Sequence, residues 1–234
     1  MLNFYNKTEK LLEKTQIAET TYLLKYSIDP NFTFQPGQYV GIQTTPTHRR
    51  AYSIFKVEEG GIWFLIDTIP GGIASKYFEE VQVGAENLIV GPYGRFTLKP
   101  TENKKVFIST GSGVAPFYPM VDQLKNKSEI QNIQIDFLFG CRFFENEISY
   151  DFFAQYINLN FKYIQCITKQ ENPNTEKFPD ALFFNGRVTK YLEQNLVNYS
   201  KTDEFYICGN PEMVEDVRTM LLIKGYMNVF GEKY

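Results

Sequence analysis

The chain has 234 residues, 43% of them hydrophobic and 22% charged, with a net charge of −3. That length suits one or two domains with ordinary cores, and the charge balance lacks the basic excess of a nucleic-acid binder. One histidine (His48) and three cysteines (Cys141, Cys166, Cys208) argue against a His-rich metal site, a Ser-His-Asp triad, a disulfide framework and a cysteine-ligated iron–sulfur cluster.

The N-terminal residues carry no apolar signal-peptide run and no stretch approaches a membrane span, so a cytoplasmic chain is expected. From Thr15 to about Leu98 the sequence reads as short strands broken by turns. Ile17–Tyr26 is rich in β-branched and aromatic residues and stops at Asp29-Pro30-Asn31. Gln38–Ile42 follows the turn Gln35-Pro36-Gly37, and Ala51–Val57 and Ile62–Ile69 flank a hairpin at Glu59-Gly60-Gly61. A short helix is predicted over Ala74–Glu80. Closely spaced short strands indicate an antiparallel β-barrel or sandwich.

After Lys99-Pro100 the pattern changes. Val106–Thr110, Ile133–Phe139, Phe161–Thr168, Glu204–Cys208 and Met227–Phe230 read as strands. Val114–Asn126, Ile148–Asn158, Val188–Leu196 and Pro211–Lys224 read as helices. This alternation predicts an α/β domain with a five-stranded parallel sheet, and the two domains are expected to be 1–100 and 101–234.

Within the first domain, Arg50-Ala51-Tyr52-Ser53 lies on a predicted strand. Arg50 and Tyr52 then share a face and Ser53 points the other way. An arginine offers a fork to a phosphate, and a tyrosine offers a ring on which a flat cofactor can lie. The tetrapeptide suits an ordinary edge strand equally well. Gly71-Gly72-Ile73-Ala74-Ser75 leads into the predicted helix, whose first amides could hold a pyrophosphate.

In the second domain, Thr110-Gly111-Ser112-Gly113-Val114-Ala115-Pro116 follows a strand and opens a helix, so its backbone can approach a dinucleotide pyrophosphate. Cys208-Gly209-Asn210-Pro211-Glu212-Met213 occupies a similar strand-to-helix position. Arg142 follows the second strand, Lys169 the third, and Arg187 the loop beyond it. These cations suit a 2′-phosphate, although Glu145, Glu147 and Glu171 lie nearby and all could be solvated surface charges.

Over essentially its whole length the chain resembles the ferredoxin–NADP⁺ reductase superfamily. Arg50-x-Tyr52-Ser53 matches the family's flavin signature, Gly72-Ile73-Ala74-Ser75 its phosphate segment, and Pro36-Gly37-Gln38-Tyr39 a strand start. The resemblance implies an FAD stacked on Tyr52 and bonded at N5 by Ser53, with its phosphates held by Arg50 and Ser75. Ala51, Ile66, Gly72, Ile73 and Ala74 complete that contact set. It implies NADPH, with NADH as the alternative, at Thr110, Gly111, Gly113, Arg142, Lys169, Arg187, Gly209 and Met213. Cys208 would lie beside the nicotinamide, and Ser53 and Cys208 would be the residues nearest the reacting atoms.

Tyr234 would cover the flavin or fray as a terminus. Lys169 stands where the NADPH-dependent bacterial members have arginine. The implied function is electron transfer from NADPH through FAD to ferredoxin or flavodoxin, by a monomer. The alternatives are an NADH-dependent oxygenase reductase component, a free-flavin reductase, or a flavin-binding electron-transfer subunit of a larger complex.

Overall fold

The computed structural model describes residues 4–58, 60–126, 133–158 and 160–233. They fall into two compact units, Met1–Leu98 with Ala115–Gln123, and Lys99–Val114 with Leu124–Tyr234.

The first unit contains β1 (Tyr5–Ala18), β2 (Thr21–Ser27), β3 (Tyr39–Thr45), β4 (His48–Ser53), β5 (Lys56–Glu58), β6 (Gly61–Asp67), α1 (Ile73–Glu80) and β7 (Glu86–Tyr93). Its seven strands form a curled antiparallel sheet in the order β4-β3-β7-β1-β2-β6-β5. Strand β1 begins well before Thr15, where the sequence pattern starts. Of its early residues only Tyr5 and Leu11 are buried, and charged residues point outward between them, so no clean alternation appears. Tyr5–Lys10 pairs with β7 and Leu11–Ala18 with β2, with a register shift after Leu11. One long strand therefore bends the sheet around its own core.

A turn at Glu19-Thr20 splits the predicted run Ile17–Tyr26 between β1 and β2, and Ile54-Phe55 splits Ala51–Val57 between β4 and β5. Leu24, Tyr26, Val40, Ile42, Ile54, Ile62, Phe64 and Ile89 fill the core, and Phe78 brings one face of α1 onto it. Burial of each such side chain contributes roughly 1.5–3 kcal/mol.

The second unit carries β8 (Lys105–Thr110), β9 (Ile135–Cys141), α3 (Tyr150–Phe153), β10 (Phe161–Ile167), β11 (Leu182–Asn185), α4 (Val188–Asn195), β12 (Glu204–Gly209), α5 (Pro211–Ile223) and β13 (Val229–Lys233). Helix α2 (Phe117–Asn126) follows β8 after a 3₁₀ turn at Gly111–Val114. All strand pairs are parallel, in the order β11-β10-β9-β8-β12-β13. The expected five strands are six here, because β11 is an additional strand. It is four residues long, half exposed and at the edge, too short to stand out from the surrounding turns.

Successive side chains alternate between the two faces. Val106, Ile108, Leu138, Ile164, Phe205 and Ile207 meet Val188 and Leu192 of α4 and Val214, Val217 and Leu221 of α5. On the other face Tyr163, Phe137, Phe107, Tyr206 and Phe230 form one in-register row across five strands. Beneath that row, Lys105 and Glu204 make a fully buried ion pair of 2.8 Å. Thr101 accepts two further bonds from the Lys105 ammonium, at 3.1 and 2.8 Å, and Tyr206 donates to Glu204 at 2.7 Å.

Strands β8 to β11 step outward in one direction and β12 and β13 lie on the other side. The strand order thus reverses between β8 and β12, the place where open parallel sheets leave a ligand crevice at their carboxyl ends.

Candidate cofactor sites

In the first unit the site is built on an edge. Among the described residues, strand β4 pairs only with β3, placing Val40 opposite Tyr52 and Ile42 opposite Arg50. Arg50 and Ala51 are exposed, Tyr52 is half-buried and Ser53 is buried. The Tyr52 ring meets Phe78 of α1 edge-on at 5.3 Å and 86°. That contact brings the Arg-x-Tyr-Ser strand and the Gly-x-x-Ser helix together, although eighteen residues separate them in sequence. Burial pushes the Tyr52 hydroxyl well above the usual tyrosine range, against a small opposing effect of Arg50, so it stays protonated at physiological pH.

Gly71 adopts φ +77° and Gly72 caps α1 without a side-chain bond. The Ser75 hydroxyl oxygen accepts the Ile69 N–H at 2.9 Å, tying the helix to the strand exit while its own proton remains available to a phosphate. A Cβ on Gly72 would lie 2.7 Å from the Ser75 oxygen, so glycine keeps this cradle open. The cradle borders a cleft of about 640 Å³ that is also lined by Thr45, Ile73, Lys76 and Tyr77. One cation, Lys76, two acids, Glu79 and Glu80, and the Tyr77 ring line it, and its volume is large enough for part of a nucleotide.

In the second unit the site is built from backbone approach. A Cβ on Gly113 would lie 2.4 Å from the Cys208 carbonyl oxygen and 2.4 Å from Gly209 Cα. A Cβ on Gly209, at φ +138°, would lie 2.5 Å from Thr110 Oγ1. Both glycines therefore let the exits of β8 and β12 press together at the switch point. The Asn210 N–H donates to Thr110 Oγ1 at 3.0 Å, and the Asn210 side chain accepts the Glu212 and Met213 N–H groups at 2.9 and 3.3 Å. An asparagine N-cap followed by Pro211 starts α5.

Across the neighbouring strands Cys141, Ile167 and Asn185 stand in register at the ends of β9, β10 and β11. Arg142, Lys169 and Arg187 follow them, all exposed. The Lys169 N–H donates to the Arg142 carbonyl at 2.9 Å, and Arg187 is the N-cap residue of α4. Three loops thus set three cations on one edge of the sheet. The crevice and the cation row together fit a phosphorylated dinucleotide.

Residues 8–98 match the family model of an oxidoreductase FAD-binding domain, and residues 107–219 that of an oxidoreductase NAD-binding domain. The chain belongs to the ferredoxin reductase family. It is 29% identical over 229 residues to the toluate 1,2-dioxygenase electron transfer component of Pseudomonas putida, covering 94% of this chain and 65% of that protein. It is 32% identical over 200 residues to the reductase component of propane 2-monooxygenase from Mycolicibacterium smegmatis, covering 80% of this chain and 55% of the relative. The chain thus spans less than two thirds of these curated relatives. The solved ferredoxin NADP⁺ reductase of Neisseria gonorrhoeae superposes with a TM-score of 0.83 at 24% identity, over 97% of this chain and 98% of that one, and that likeness establishes the fold.

In this ferredoxin reductase-type chain the side chain of one predicted site residue lies in the core. Ile66 is 1% exposed and sits in the first unit's core, so its side chain offers no surface to a flavin. Cys208 is fully buried at the end of β12, and Gly113 packs against its backbone. Gly113 has a packing role before any role toward a pyrophosphate. Of the acids near the cation row, Glu147 is turned inward, whereas Glu145 and Glu171 stay exposed. Tyr234 lies outside the described residues.

Sequence reasoning missed Thr45, at the end of β3, and Lys76, one turn into α1, both of which line the cleft. It also missed Glu232, placed in register beside Cys208 by the pairing of β12 with β13. No helix among the described residues is long and apolar enough to cross a membrane.

Proposed function

We propose that the chain takes electrons from NADPH, passes them through FAD and delivers them singly to a small carrier protein, a ferredoxin or flavodoxin. The observation that carries the choice of NADPH is the cation row behind β9, β10 and β11. Two guanidinium forks and an ammonium on one sheet edge suit the dianionic 2′-phosphate, which NADH lacks. Glu147 is bonded inward, which removes one acid from competition with that phosphate.

On the first unit the exposed Arg50 and the Ser75 hydroxyl bind phosphates, the half-buried Tyr52 supports the flat ring, and Ser53 lines its edge. On the second, Gly111, Gly113 and Gly209 open the crevice, with Thr110 and Met213 at its rim. A bound FAD supplies the conversion of a two-electron donation into one-electron deliveries. The residues contribute binding and orientation, and no strong acid or base is required of them.

A second reading assigns the acceptor to an oxygenase and the donor to NADH. It is favoured by the likeness to the dioxygenase and monooxygenase components named above.

The test is an absorbance spectrum followed by anaerobic titration with NADPH and then NADH, with kcat/KM for both in the parent, Arg142→Ala and Arg187→Ala. Each charge-assisted contact is worth roughly 1.5–3 kcal/mol, so each variant is expected to lose about tenfold to a hundredfold in preference for NADPH and little activity with NADH. A parent that prefers NADH would favour the second reading. A chain that takes up no FAD would overturn both.

A further inference from the structure

Behind the cation row lies a buried carboxylate to which the site as described gives no task. Glu147 is 9% exposed, in the segment that leads from Arg142 to α3. Its Oε1 accepts the Ser149 N–H and hydroxyl, both at 2.9 Å, the Tyr150 N–H at 3.1 Å and the Tyr163 hydroxyl at 2.7 Å. Its Oε2 shares the Tyr150 N–H at 3.1 Å. A surface acid serving only solubility would not be drawn inward to meet so many donors.

The Tyr163 bond is the one that crosses between elements. Tyr163 is fully buried on β10, and β10 leads directly to Lys169. The same two segments are joined again between Ser149 Oγ and the Tyr163 hydroxyl, at 2.5 Å, and at two further points. The Lys169 N–H donates to the Arg142 carbonyl at 2.9 Å, and the Phe144 N–H donates to Gln170 Oε1 at 2.6 Å. The Phe144 ring then lies 5.9 Å from Phe183 of β11, the strand that precedes Arg187.

We propose that Glu147 is a positioning residue for dinucleotide selection, fixing the segment after β9 against β10 so that Arg142 and Lys169 stand ready for a 2′-phosphate. The inference rests on the NADPH reading of that cation row. Gly113 and Gly209 lie at the other exits, β8 and β12, so loss of the Glu147 bonds leaves the pyrophosphate crevice intact. Glutamine at 147 keeps the side chain's shape but turns an NH₂ group toward a set of donors. Phenylalanine at 163 removes the hydroxyl that crosses to β10, and with it both the bond to Glu147 and the 2.5 Å contact with Ser149 Oγ.

The experiment titrates the full, FAD-loaded chain with 2′-phospho-AMP and with 5′-AMP by calorimetry. The proteins compared are the parent, Glu147→Gln, Tyr163→Phe, Arg142→Ala and the double variant Arg142→Ala/Glu147→Gln. Glu147→Gln is expected to weaken 2′-phospho-AMP about tenfold, the low end of one lost charge-assisted contact, with 5′-AMP within about twofold. Tyr163→Phe moves the same way by less. Because Glu147 acts through Arg142 as well as Lys169, the double variant weakens 2′-phospho-AMP by clearly less than the product of the two single effects. In turnover the KM for NADPH rises while kcat holds.

Equal weakening of both probes would make Glu147 structural only, and full additivity in the double variant would separate it from Arg142. Either result, or unchanged binding, overturns the proposal while the NADPH reading stands. A parent that binds the two probes equally overturns both. Should Glu147→Gln fail to fold, Tyr163→Phe decides by the same ratio.

Discussion

Gly71 faces open space, with nothing within 4 Å of the Cβ it lacks, whereas a Cβ on Gly113 would strike the backbone of Cys208 and Gly209. Both glycines sit in turns that lead toward helices, and both belong to cofactor words in the sequence. The proposed flavin site lies on an edge strand and an open turn, where side chains would do the binding and the fold has little at stake. The proposed dinucleotide site lies where two strand exits press together, so recognition and packing would share the same atoms. Substitutions should therefore separate binding from stability in the first unit and confound them in the second.

The largest effect is expected beneath the dinucleotide crevice. Lys105→Ala would leave the buried Glu204 carboxylate without its cation, at a cost of about 3–5 kcal/mol. Chemical denaturation should show the loss in the parallel-sheet unit, and an unchanged midpoint would show that Thr101 and Tyr206 suffice. Burial raises the Glu204 pKa, but the bonds from Lys105, Thr101 and Tyr206 outweigh it and hold the group below the usual range. Its folded-state value is thus depressed. Its contribution to stability is present above the unfolded carboxylate value, about 4.3, and is lost as pH falls through the folded one.

Gly113→Val comes next. Overpacking at such an approach costs about 1–3 kcal/mol, so both the stability of this unit and dinucleotide binding should fall. Normal stability with lost binding would mean that the crevice is looser than the Gly113 contacts imply.

Tyr52→Ala tests the opposite case. It should weaken FAD binding by roughly 1–3 kcal/mol in equilibrium dialysis. The melting temperature of the FAD-free protein should move less than for Gly113→Val. Comparable losses in both would show that the Tyr52–Phe78 contact belongs mainly to the core. The smallest effect is reserved for Gly71→Ala, about 1 kcal/mol from the left-handed backbone alone. A larger loss would show that the turn is as tightly constrained as the one at Gly113.

Local chemistry made much of this legible in advance. Strand runs followed by strand–helix alternation announced an antiparallel sheet before a parallel one, and glycine, proline and asparagine marked turns at the strand exits. Arg50-Ala51-Tyr52-Ser53 and Gly72-Ile73-Ala74-Ser75 are contiguous, so short words could reveal them. What escaped depends on partners distant in sequence. Strand β1 draws its order from two neighbours while showing mostly polar residues to solvent, and β11 is a strand only because β10 lies beside it. Ile66 reads like any strand residue until the curl of the sheet turns it into the core. Glu147 reads as a surface acid until Tyr163 and the backbone of Ser149 and Tyr150 fold around it. Sequence by itself determined which segments become strands, helices and glycine turns, because those preferences are set by neighbours along the chain. Tertiary structure alone decided which face each polar side chain meets, because burial and hydrogen bonding depend on contacts that only sheet order and curvature bring together.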